Sequence, residues 1–149
     1  MRKRRIVLAL IAGLLLALAG AWCLADPLDR SAWLYRAQED AFAQAAEAAL
    51  TGKAGKKPFG VAEVSLWTSQ TDGSALAADF SVGGWGIGSQ TDYWGIYTTT
   101  DGGPAGFQGT DMALTERSDG VWTWREEQGD NTYETRRIAP DWYSYRVHF

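Results

Sequence analysis

The chain has 149 residues, 18 of them acidic against 14 Lys and Arg, with one Cys and one His. The four charges among its first 25 residues are all basic, so the other 124 residues carry ten positive and eighteen negative side chains, a net of −8, which repels phosphate backbones and argues against nucleic acid as a partner. The lone Cys23 and lone His148 exclude an intramolecular disulfide and a zinc site built on several Cys or His, and leave a Ser-His-Asp hydrolase only if His148 is its base.

Arg2, Lys3, Arg4 and Arg5 precede an uncharged apolar run from Ile6 to Leu24. A cationic start followed by such a run is the signature of a secretory signal peptide or an N-terminal membrane anchor. Residues 26–149 are therefore expected to be extracytoplasmic, membrane-anchored or secreted. Small residues at Ala19/Ala21 and at Cys23/Ala25 suit cleavage of a signal peptide. The run is equally long enough to cross about 30 Å of hydrocarbon, with Trp22 as an interfacial aromatic. A lipoprotein would use Cys23, but the bulky Trp22 before it fits that processing poorly.

Asp26-Pro27 starts a helix, Asp as the N-cap and Pro at the first helical position. No Gly and no further Pro follow until Gly52, a C-cap. Over 27–50 a helical wheel gathers Leu28, Leu34, Tyr35, Phe42, Ala45, Ala46, Ala49 and Leu50 on one side. Arg36, Asp40, Gln44 and Glu47 lie opposite, Arg36 and Asp40 spaced for an exposed ion pair. Residues 51–58, TGKAGKKP, read as a solvated loop into the first strand.

Beyond Phe59 the period changes to two. Val64 and Leu66 alternate with Ser65 and Trp67, and Ala78, Phe80 and Val82 alternate with Ala77, Asp79 and Ser81, as half-buried strands do. A third strand is expected around 93–99. Segments 111–117, 121–127, 132–138 and 142–149 are separated by turn residues at about ten-residue spacing, the pattern of an antiparallel meander. Tyr143, Tyr145, Val147 and Phe149 should share one face. The tetrapeptide Ser-Gln-Thr-Asp occurs at 69–72 and 89–92, read as two similar turns.

The candidate sites are aromatic. Seven Trp, six Tyr and five Phe follow the leader, and flat rings either clamp a sugar or peptide or fill a core. Trp85, Trp94, Trp122, Trp124 and Trp142 are the candidate ligand-binding residues. Trp122 and Trp124 point the same way, and the core reading puts both against the helix, mostly buried. Gly83, Gly84, Gly86 and Gly88 surround Trp85 and Ile87 and mark a curved strand or a floor for a ligand or the helix. Glu116, Glu126, Glu127, Asp130, Glu134 and Asp141 supply carboxylates for glycoside hydrolysis if two of them face each other. Of Arg136 and Arg137, only one can turn inward.

The expected architecture is α+β: one N-terminal amphipathic helix on a curved antiparallel sheet of six or seven strands. In outline this resembles the cystatin-like and nuclear-transport-factor-like plans, although no motif identifies either family. A small closed β-barrel with a helix plug is the alternative. The organisation is a leader, residues 1–25, and one extracytoplasmic domain, residues 26–149. No motif for a catalytic residue, metal site or cofactor is present. The functional expectation is a non-enzymatic binding or accessory domain, exported or membrane-anchored. Its partners would be the membrane through residues 6–24 and a protein or carbohydrate ligand. A carboxylate-dependent glycoside hydrolase, a carbohydrate-binding module and a regulatory partner of a membrane protein are the alternatives.

Overall fold

The computed structural model describes residues 2–87 and 90–149. Gly88 of the glycine-rich segment and Ser89 of the second Ser-Gln-Thr-Asp lie outside the described residues, as do the side chains of Arg2, Lys3 and Arg5 in the cationic start. Helix α1 spans Arg2–Leu24, α2 Pro27–Arg36 and α3 Glu39–Leu50. Seven strands follow: β1 (Glu63–Thr68), β2 (Ala75–Ile87), β3 (Gln90–Thr99), β4 (Thr115–Ser118), β5 (Val121–Arg125), β6 (Thr132–Ala139) and β7 (Trp142–His148). They form one antiparallel sheet in the order β1-β2-β3-β7-β6-β5-β4. The fold is therefore α+β with an open sheet, edged by β1 and β4, and not a closed barrel.

The helix expected over 27–50 is broken in two. Its start is as read: Asp26 Oδ1 accepts a hydrogen bond from the Leu28 amide at 2.8 Å, with Pro27 next in line. The break falls at Gln38, whose backbone (φ −147°, ψ 32°) leaves the helical region. The Gln38 amide instead grips the backbone of Phe59, donating to its carbonyl at 3.0 Å and accepting from its N–H at 2.9 Å. The turn lets α2 lie over β3 and β7 while α3 lies over β2 and β1, a path that a straight rod over a twisted sheet could not follow. Arg36 and Asp40 now belong to different helices, and no ion pair joins them. At the far end Gly52 takes φ +67°, and the Lys53 and Gly52 amides donate to the Ala48 and Ala49 carbonyls. That Schellman arrangement satisfies the last carbonyls of α3.

The sheet buries both faces. Under the helices, Leu34, Tyr35 and Phe42 pack on Val61, Phe80 and Ile96. On the opposite face, Trp67, Tyr97, Phe107, Tyr133, Tyr143 and Tyr145 form a second core, roofed by the connection at 100–114. Two-sided burial makes consecutive residues Ala77, Ala78, Asp79 and Phe80 of β2 all inaccessible. Tyr143, Tyr145, Val147 and Phe149 do share a face, in this second core. The Ser-Gln-Thr-Asp segments are not alike: the first is a turn in which the Ser69 hydroxyl accepts from the Thr71 and Asp72 amides, and 90–92 of the second belong to β3.

Candidate binding surfaces

Two residues separate α1 from α2, and the end of α1 meets the domain at one aromatic contact. The Trp22 ring meets that of Trp33 edge-on, centroids 5.2 Å apart. Between α1 and the domain runs an apolar cleft of about 780 Å³, with Leu18, Ala19 and Trp22 on one wall and Trp33, Phe59 and Trp94 on the other. Trp94 lies across the neighbouring strand at Gly83, where a Cβ would come within 2.6 Å of its ring. The floor that the glycines make is thus occupied by a ring of the sheet itself. The guanidinium of Arg30 covers that ring, 5.2 Å from its centroid, a favourable placement for a cation on an indole.

The second surface is polar. The helices leave the same side of β4, β5 and much of β6 uncovered, and a groove of about 550 Å³ runs there, lined among others by Arg117, Thr123, Arg125, Glu134 and Arg146. A chain of alternating charges borders it: Asp29 to Arg136 at 2.8 Å, Arg136 to Glu134 at 3.5 Å, Glu134 to Arg146 at 3.4 Å and Arg146 to Asp26 at 3.5 Å. Asp26 therefore caps α2 and also ties it to β7. Arg117 donates through Nε to the Thr123 hydroxyl at 3.1 Å. His148 Nδ1 lies 3.1 Å from Asp92 Oδ1 on the same side of the sheet.

The third place with chemical potential is enclosed. Asp79 is 6 % exposed, on the roofed side of β2. Ser65 donates to its Oδ2 at 3.2 Å, and its Oδ1 has no partner. Burial pushes its pKa up to about 6, outweighing the downward pull of the polar groups of Tyr145, Ser65 and Trp67 around it. Burial, followed by the charge of Asp79, raises the Tyr145 hydroxyl well above its ordinary value. Tyr97, likewise desolvated, is pushed up to about 12. Asp79 lines none of the grooves described.

The five candidate tryptophans are dispersed. Trp94 belongs to the cleft beside α1, and Trp85 lies farther out on the same strand pair. Trp142 is packed among Tyr35, Phe42 and Phe80 under the helices. Trp122 and Trp124 share a face as expected, but it is the face turned away from the helices, and both are half-buried. Pairing is the reason: Trp122 stands opposite Thr135 and Trp124 opposite Tyr133, both on the roofed side. Trp122 has Glu116 as its other cross-strand neighbour and the Arg137 guanidinium 5.3 Å from its ring. Arg136 takes the helix side.

The meander carboxylates are scattered too: Glu134 is engaged by two arginines, Glu116 is on the other face, and Asp141 occupies a left-handed turn at φ +63°. Sequence reading missed Trp33 and Phe59 in the cleft. Trp33 carried a signal, a large ring on the polar side of the wheel. The ties Asp26–Arg146 and Asp29–Arg136 carried none, since they join the two ends of the domain. Comparison with protein-family models, with curated proteins and with solved structures finds no match for this chain.

Proposed function

We propose that the protein is a membrane-anchored extracytoplasmic domain with a binding or accessory, non-enzymatic role, α1 remaining attached as its anchor. The carrying observation is the joint between α1 and the domain. Ile6–Leu24 has a mean hydropathy of 2.5 and none of it is buried, so its own surface calls for lipid. Yet its last turn meets the domain, the Trp22 ring edge-on to that of Trp33. A cleaved signal needs no such fit, and cleavage after Ala21 or Ala25 would strip one wall from the cleft. The basic residues before Ile6 favour retention of that end in the cytoplasm.

A binding role is supported by the state of the groove's ionisable groups. Glu134, Arg136 and Arg146 are committed to one another and to α2, which holds a surface in shape rather than readying an acid or base. Arg117 and Arg125 stand beside them with no carboxylate among the described ion pairs and suit a ligand bearing carboxylate or phosphate oxygens.

Fractionation tests the reading. The chain should stay with carbonate-washed membranes with its N-terminal residues intact, and a reporter active only in the cytoplasm, fused after Phe149, should be silent. Recovery of a soluble form beginning after Ala21 or Ala25, or strong reporter activity, overturns it.

A further inference from the structure

The exposed apolar residues of the domain are not spread evenly. Outside α1, six large hydrophobic residues are exposed among the described residues, and four of them are Trp33, Phe59, Trp85 and Ile87. Trp33 and Phe59 wall the cleft beside α1. Trp85 and Ile87 prolong β2 beyond Val82, which lines the same cleft. Their partners Asp92 and Gln90 are two and four residues before Trp94 on β3, so both side chains share the face of Trp94. Phe59 and Ile87 are 85 % exposed, Trp85 66 % and Trp33 60 %. Lone exposed apolar residues are ordinary, but a group of them on one side marks a surface that meets something.

Depth identifies what it meets. At about 1.5 Å per residue, the 19 residues of α1's apolar run reach across roughly 28 Å, the thickness of the hydrocarbon layer. Trp22 then falls at the outer boundary, where indole rings favour the interface. Trp33 touches Trp22, and Phe59 shares a cleft with Leu18 and Ala19, one turn deeper along α1. Charge agrees with that placement. The domain is acidic as a whole, yet the cleft itself is lined by the cation Arg30, a charge suited to an anionic headgroup.

We infer that this flank rests on the lipid: Trp33, Phe59, Trp85 and Ile87 occupy the interfacial layer of the membrane that α1 spans, and the domain lies against the bilayer surface instead of standing off it. The inference rests on α1 being an uncleaved span. It places the polar groove of β4–β6 on a body held in a fixed attitude to the membrane.

The test uses the full chain, with Cys23→Ser and single substitutions Phe59→Cys, Trp85→Cys or Ile87→Cys carrying a spin label, in vesicles of phosphatidylcholine and phosphatidylglycerol. Asp72→Cys, in the turn at the opposite end of β2, is the reference. Co-flotation with the vesicles is scored first, because a chain that does not float loses both the anchor and the docking. In the floating chain, oxygen accessibility relative to that of a water-soluble nickel chelate should be several-fold higher at 59, 85 and 87 than at 72. Ratios equal to that at 72 in a floating chain overturn the docking alone. Labels shielded from oxygen and nickel alike would show protein covering the patch, and also overturn it.

Discussion

The two faces of the sheet solve the same problem with different chemistry. Under α2 and α3 the core is aliphatic and aromatic, with one tyrosine, Tyr35, among Leu34, Phe42, Phe80 and Ile96. Under the 100–114 connection it contains Tyr97, Tyr133, Tyr143 and Tyr145. A helix satisfies its own backbone and can be met by hydrocarbon. An irregular segment cannot, and its N–H and C=O groups need partners wherever they are covered. The tyrosines supply ring area and partner together. Tyr143 donates to the Gly102 carbonyl at 2.7 Å, Tyr133 to that of Ala105 at 3.0 Å, and Tyr97 accepts from the Ala105 amide at 3.2 Å. Much of the chain's aromatic surplus is thus the consequence of roofing a sheet with a loop.

Four substitutions can break or sharpen that contrast. The largest effect belongs to the helix side: Phe42, fully buried against Phe80 and Trp142, should cost about 3–5 kcal/mol on replacement by Ala, as packed rings do, read in denaturant melts. A loss under 1 kcal/mol would mean the helices do not stabilise the sheet.

Next comes Asp79 on the roofed side. Its pKa is raised from 3.8 to about 6, so the folded state holds a proton that the unfolded state releases earlier. The stability that Asp79 contributes should be fully present below pH about 4, fall by roughly 2–3 kcal/mol as pH rises through 6, and level off above. Asp79→Asn should remove that slope and stabilise the protein at pH 8. Melts across pH 4–8 decide it, and an unchanged slope in the variant would place the titration elsewhere.

Tyr143→Phe deletes the part-buried bond to the Gly102 carbonyl, for a cost of about 1 kcal/mol. Tyr35→Phe is the matching change on the helix side, where no hydrogen bond to the Tyr35 hydroxyl is described, and should stay within about 0.5 kcal/mol. Equal costs for the two would dissolve the distinction between the faces.

Legibility followed the range of the forces involved. The Asp26-Pro27 start, the apolar stripe from Leu28 to Ala46 and the meander turns are local and were readable. The break at Gln38 was not, because its cause is a hydrogen bond to Phe59, 21 residues on, with no Gly or Pro to announce it. Period two fixed that Trp122 and Trp124 share a face. It could not say which, since the face is set by the register of β5 on β6 and by what covers each side, and neither is local. Of the cleft residues, Trp94 was a candidate from the sequence, and Trp33, which was missed, carried a local signal in its place on the polar side of α2. The closeness of Trp94 to Trp33 and Phe59 needed the fold.

The strand order carries a consequence for synthesis. β7, which follows the other six strands along the chain, lies in the middle of the sheet between β3 and β6. Until Trp142–His148 is available, the chain can form only two separate fragments, β1–β3 and β4–β6, each with a raw inner edge. Such edges invite pairing with other chains, and closure over so long a separation is slow. A chain lacking Trp142–His148 is thus a sheet in two halves, each with an inner edge left to pair elsewhere.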